Sequence, residues 1–239
     1  MKKGVKFILV LVIALLVYWV SISWVPGIPF LKHLSDRVAW ISPSLWVQAT
    51  LLLCSIILIL IFGRGKFASY GFRGTGLINI IKPFFIAFLF AFVLFILNMI
   101  HIRVTGPPQG SGKGPLSGDL IKDIVYIWII ASMVEEIFFR GFVVTFLQDL
   151  KKQGIRLGRI LLSVPVLVAA LLFSLMHLCL WDIMPHRIVY FILINTFFLG
   201  LIAGYWREKT GSLIPAYVVH LIFNVVGMII PRLLIALVS

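Results

Sequence analysis

Acidic side chains are scarce in this chain: Asp and Glu number 8 in 239 residues, against 21 Lys and Arg. All charged residues together make up 12%, where soluble proteins carry about 25%. Cysteine is scarcer still. Cys54 and Cys179 form no paired or metal-ligand spacing, which excludes a disulfide-stapled scaffold and a CxxC-type redox or metal motif. No His-Glu-x-x-His motif is present, so a zincin is not indicated, and Ser132 and Ser174 lack the elbow context of a serine nucleophile. The glycine-rich stretch over 106–115 has Pro107 and Gly114 where a phosphate-binding loop needs glycine and a hydroxyl residue, so it reads as a flexible outer loop. The first apolar run is too long for a signal-peptide core and is followed by no small-x-small cleavage site before Trp24. It reads as a retained first helix.

What fills the chain instead is apolar. Hydrophobic residues reach 62%, with a mean hydropathy of +1.13, where soluble proteins hold roughly 45–50%. A small soluble domain has too much surface for its volume to hide that share. Disordered and collagen-like classes fall to the same composition. At roughly 20 residues per crossing, the expectation is an all-α polytopic transmembrane bundle of about seven spanning helices. The runs are approximately Val5–Trp24, Ser44–Phe62, Pro83–Ile102, Leu120–Gln148, Gly158–Trp181, Ile188–Trp206 and Ser212–Val238. In the last, Pro231 and Arg232 divide a span from a short tail. Gly200-x-x-x-Gly204 lets the sixth run approach a neighbour closely.

The formal net charge of +13 resembles a nucleic-acid footprint in size but not in placement. Apart from Arg140, Lys and Arg lie in the short segments between runs, as the positive-inside rule expects, and not on one face among aromatics. No nucleic-acid partner follows. With the N-terminus inside, the inner segments hold thirteen basic residues against seven outside, which places the N-terminus in the cytoplasm and the C-terminus outside. The short chain and lysine-rich start point to a prokaryotic cell membrane.

Against this background, polar groups inside the runs stand out. Glu135, Glu136 and Arg140 lie near the middle of the fourth run. A charge at mid-membrane costs roughly 2.5–3.5 kcal/mol on insertion scales, so it defaults to a functional reading. On a helix Glu136 and Arg140 share a face at i and i+4, while Glu135 is turned about 100° away. The pair then reads as structural support and Glu135 as the working carboxylate. His177 lies in the fifth run, and His220 and Asn224 stand at i and i+4 in the seventh. Asn98, His101 and Asn195 lack a partner spacing and read as packing residues. His177 sits toward the outer end of its run, so convergence with Glu135 and His220 at one depth requires the fifth helix to begin later, near Pro165, or to tilt.

Two chemistries fit the set. In one, Glu135 is a general base that activates water with His177, and His220 with Asn224 donates to the oxyanion of a tetrahedral intermediate. In the other, Glu135, His177 and His220 ligate a divalent metal such as zinc with an open fourth position. The sequence leaves the choice between no cofactor and a metal open.

Glu-Glu-x-x-x-Arg at 135–140, Phe-x-x-x-His at 173–177 and His-x-x-x-Asn at 220–224 resemble, in order and spacing, the motifs of the CPBP family. These are the type II CAAX prenyl proteases and bacteriocin-processing (Abi) intramembrane proteases. The resemblance covers roughly residues 120–230. It implies a CPBP-like catalytic helical core over 120–239, preceded by motif-free transmembrane helices over 1–119. It further implies peptide-bond hydrolysis within the bilayer, with catalytic roles at Glu135 and His177, oxyanion stabilisation at His220 and Asn224, and a glutamate-type mechanism. The expected partners are the lipid bilayer and a membrane-associated or lipid-modified peptide. Two other classes remain beside the endopeptidase: a non-catalytic scaffold or bacteriocin-immunity protein of the same family, and a proton-coupled carrier relaying through Glu135. The carrier lacks the duplicated halves or broken helices usual for that class.

Overall fold

The structure is a computed structural model that describes residues 2–38, 40–106 and 119–238. Beyond Gly106, the loop expected over 106–115 lies outside them. The described residues form eight helices and one small hairpin. Helix α1 spans Lys3–Gly27, α2 Pro29–Arg37, α3 Pro43–Gly63 and α4 Ile78–Thr105. Helix α5 runs over 120–146. Strands β1 (Gly154–Leu157) and β2 (Ile160–Ser163) follow, then α6 Val164–Leu180, α7 His186–Thr210 and α8 Ile214–Val238.

Local chemistry sets most of these ends. Proline opens α2, α3 and α6 in the first turn, where its missing N–H costs nothing. Asp119 caps α5 by accepting from the N–H groups of Ile121 and Lys122. Helix α3 stops where Arg64 and Gly65 turn left-handed (φ 51° and 74°), and α7 stops at Gly211 (φ 72°).

The seven expected crossings are borne out in part among the described residues. Four helices, α1, α3, α4 and α7, are long and apolar enough to cross a membrane, which makes this an integral membrane protein. Helix α5 is interrupted by its own charges, Glu135, Glu136 and Arg140. Helix α6 is shorter, with an apolar stretch of Val164–Leu180, and α8 carries apolar residues from Ile214 to at least Ile230. Helix α8 also continues through Pro231 to Val238 without the expected break.

The fifth run is corrected most. Its first residues are not helical: Gly158 (φ 58°) makes the turn of an antiparallel hairpin that pairs Leu157 with Ile160 and Gly154 with Ser163. The bundle is therefore all-α apart from this hairpin. Helix α6 starts only at Val164, with the Ser163 hydroxyl accepting from the Val166 N–H. The later start near Pro165, one of the two ways expected to bring His177 inward, is present.

Gly200 and Gly204 do bring α7 close to α6. A Cβ at Gly200 would lie 2.8 Å from Ala170, and one at Gly204 2.9 Å from Val166. The core beside this contact is aromatic: Phe138, Phe139, Phe142 and Phe173 are all buried. Asn195 returns its amide to the Phe191 carbonyl (2.8 Å), and the His101 ring packs on Phe191, as packing residues should.

Candidate active site

The centre of α5 departs from regular winding on both sides. Ile124–Ala131 and Ile137–Val143 are wound as π-helix around the regular turn Ser132–Glu136. Ser132 marks the wider spacing, since its hydroxyl donates to the carbonyl five residues back, at Ile127 (3.0 Å). Such π-turns are uncommon and gather at functional sites.

The two adjacent carboxylates are both buried yet meet different partners. Arg140 Nη1 donates to Glu136 Oε1 at 2.9 Å, with both side chains withdrawn from solvent. The guanidinium lies on the Phe173 ring, 4.6 Å from its centroid. Without Glu136, Arg140 would be an uncompensated buried charge. Glu136 carries a second load as well: its Oε1 accepts from His220 Nδ1 at 2.9 Å. That bond turns the other ring nitrogen, Nε2, to within 3.7 Å of Glu135 Oε2. The gap is too long for a direct hydrogen bond. It is short enough for one water to touch both groups.

His220 is thus the bridge between two carboxylates that spacing alone assigns to separate faces. Glu135, Glu136, Arg140 and His220 form one connected cluster, and Phe173 is the apolar floor beneath it. The Phe173 ring stands edge-on to His220 (5.4 Å) and to His177 (5.1 Å). His177 donates through Nδ1 to the Phe173 carbonyl at 2.9 Å. Because a carbonyl only accepts, this bond fixes the tautomer and leaves Nε2 with its lone pair. His177 comes up to the cluster through Phe173 and makes no hydrogen bond to Glu135.

Asn224 is placed differently from the expectation. Its Nδ2 donates to Ser132 Oγ (2.9 Å) and weakly to the Ile127 carbonyl (3.4 Å), one turn from the carboxylates. Both bonds run to α5, so Asn224 ties α8 to the helix that carries the carboxylates.

One member of the site was not anticipated. Gln48, on α3, donates through Nε2 to Glu135 Oε1 at 3.1 Å. A helix that carries none of the motifs therefore fixes the second oxygen of the central carboxylate. The available signal was a lone amide in an otherwise apolar run.

For the metal alternative, His220 and His177 use Nδ1 toward protein acceptors, which leaves each Nε2 as the nitrogen that could face an ion. Among the described residues no three His, Cys, Asp or Glu side chains group as a metal ion would require. The chemistry is accordingly developed for the side chains themselves.

Residues 117–226 match the family model for Type II CAAX prenyl endopeptidase Rce1-like proteins. No curated protein and no solved structure gives a significant match.

Proposed function

Residues 117–226 form a domain of the Rce1-like type II CAAX prenyl endopeptidase family, and from that premise we propose that the chain is an intramembrane endopeptidase with Glu135 as its general base. The observation that carries this reading is the position of His220, whose two nitrogens face Glu136 at 2.9 Å and Glu135 at 3.7 Å. A water seated between Glu135 Oε2 and His220 Nε2 has an acceptor for its proton and lies in a low-dielectric pocket, where such contacts act strongly.

In the proposed reaction that water gives a proton to Glu135 as its oxygen bonds to the scissile carbonyl carbon. The carbonyl oxygen becomes an oxyanion. His220 as imidazolium donates from Nε2 to it, with Glu136 as the ring's counter-ion. The C–N bond then breaks as Glu135 returns the proton to the leaving amine, so one water is consumed and a carboxyl and an amine are released. His177, with its free Nε2, supports the proton's passage. Asn224 joins the oxyanion site by turning its amide away from Ile127. Gln48 holds Glu135 Oε1 so that Oε2 faces the water.

The substrate class follows from where the cluster lies. The carboxylates are buried in a bundle of apolar helices, so the peptide reaches them from the bilayer. A membrane-associated or lipid-modified peptide is the substrate proposed, with the N-terminus of the protease on the cytoplasmic side.

The test is cleavage of a membrane-tethered peptide library by the purified protein in lipid, run in water enriched in oxygen-18. The proposal expects peptide products carrying one heavy oxygen in the new carboxyl, at a rate unchanged by a chelator. Intact peptides throughout would favour the scaffold reading. Activity abolished by the chelator would assign the water's activation to a metal.

A further inference from the structure

A second polar constellation lies at the cation-rich end of the bundle, away from the carboxylates. Here α3, α5 and α7 end and the segment 67–73 crosses between them. A cavity of about 200 Å³ is lined there by Ser69, Arg73, Thr145, Lys151, Arg207 and Glu208, among others. Arg207 is only 6% exposed. Its Nη2 donates to the Ser69 carbonyl (3.0 Å) and to the Thr145 hydroxyl (3.2 Å), while its Nε has no partner.

The other two cations are also held by uncharged groups. Arg73 Nη2 donates to the Thr210 carbonyl at 2.9 Å, and Lys151 Nζ to the Glu208 carbonyl at 3.2 Å. The one acidic side chain in the lining, Glu208, accepts from the Ser163 hydroxyl at 2.8 Å. Among the described residues, every ion pair within 4.0 Å involves other groups: Lys6 with Asp149, Arg140 with Glu136, and His220 with the two glutamates.

Three cations thus line a polar cavity, one of them buried, and the single carboxylate there, Glu208, offsets Arg207 and Lys151 through space without a close ion pair to any of the three. Positive charge stays in excess around a buried guanidinium, which is unfavourable until an anion joins it. The same guanidinium presents a planar fork suited to tetrahedral oxyanions. The Thr145 hydroxyl accepts from Arg207 and keeps its own proton free to donate.

We propose that this cavity binds a phosphate group, taken from an anionic lipid headgroup at the membrane surface or from a soluble phosphate. The position fits the first source, because the cavity opens where the apolar helices end. It also has a consequence for the candidate active site. Thr145 lies on the last turn of α5, the helix that carries Glu135, and Arg207 lies on α7, whose Gly200 abuts Arg140 Nη2 at 3.2 Å from a Cβ position. Phosphate bound here clamps together the ends of the two helices that hold the cluster.

The experiment uses the full chain in detergent and reads retained lipid by native mass spectrometry, with phosphatidic acid and phosphatidylcholine offered in competition. One phosphatidic acid per protein is expected to survive, and inorganic phosphate is expected to displace it if the phosphate alone is recognised. Failure of inorganic phosphate to displace a retained phosphatidic acid assigns the site to the lipid headgroup.

The double variant Arg73→Gln/Lys151→Gln removes two cations at the rim and leaves the buried Arg207 in place. It should bind phosphatidic acid roughly tenfold or more weakly, the size of one or two charge-assisted hydrogen bonds. Lys2→Gln/Lys3→Gln removes the same charge from elsewhere and should bind as the wild type does. Equal loss in both double variants, or equal retention of the two lipids by the wild type, overturns the proposal and reduces the effect to the overall basic charge.

Discussion

At the scale of single residues, the two adjacent glutamates divide their work by what each one neutralises. Glu136 is the counter-charge of Arg140 and the anchor of His220. Its removal strands a fully buried guanidinium. Glu136→Ala should therefore cost about 3–5 kcal/mol of stability, read as a lower unfolding midpoint in lipid or detergent. Glu135→Ala, which leaves Arg140 paired, should lose clearly less; equal midpoints for the two variants would contradict this division. The charged residues were legible in the sequence because a carboxylate or guanidinium among isoleucines and phenylalanines is expensive wherever it lies. Gln48 was not. A neutral amide in an apolar run costs little and points nowhere until the fold brings α3 against α5. Nor could spacing show that His220 bonds Glu136 through one nitrogen and faces Glu135 with the other, since that depends on how α8 is set beside α5.

At the scale of elements, close packing of α6 on α7 holds Phe173 and Arg140 in place. Gly200 has no room for a side chain: a Cβ there would meet the Ala170 backbone at 2.8 Å and Arg140 Nη2 at 3.2 Å. Gly200→Val should destabilise the protein by roughly 1–3 kcal/mol, the usual range for overpacking, and should slow cleavage by displacing Arg140 from its bond to Glu136. Unaltered stability and rate in that variant would remove α7 from the account. The Gly-x-x-x-Gly signal for this contact was readable from sequence. The start of α6 was not, because the apolar residues of β2 merge with the helix that follows and hydropathy cannot separate them. Only Gly158, whose left-handed conformation makes the hairpin turn, marked the boundary.

Another link between elements joins Lys6 of α1 to Asp149, just after α5. The hydrogen bond from Lys6, and then its charge, hold the Asp149 carboxyl below the usual carboxylate range. A carboxyl depressed in this way stabilises the fold above its unfolded pKa and loses that contribution as pH falls through the folded value. Amide protection near the start of α1, taken relative to the intrinsic exchange rate at each pH, should accordingly fall as the pH drops below the ordinary carboxylate range. Asp149→Asn should show the lower protection at neutral pH and no such acid dependence. Parallel pH profiles for the two proteins would show the contact to be without consequence.

At the scale of the whole molecule, composition settled the class before any motif was considered, because 62% apolar residues cannot be covered by a chain of this length in water. Counting the crossings was harder. Among the described residues four of the seven apolar runs are helices long and apolar enough to span; the run that houses the carboxylates is interrupted by them, and the fifth gives its first residues to a hairpin. Those same departures from regular spanning helices build the site. A short α6 delivers His177, a widened α5 carries the carboxylates, and long apolar helices such as α3 shield them. The central claim is that Glu135 moves the proton in peptide hydrolysis within this shelter. The most direct measurement is the initial rate of cleavage of one bilayer-held peptide by Glu135→Gln beside the wild type, both with the same unfolding midpoint. Loss of a general base predicts a fall of at least about 100-fold. A variant that cuts at the wild-type rate would contradict the account.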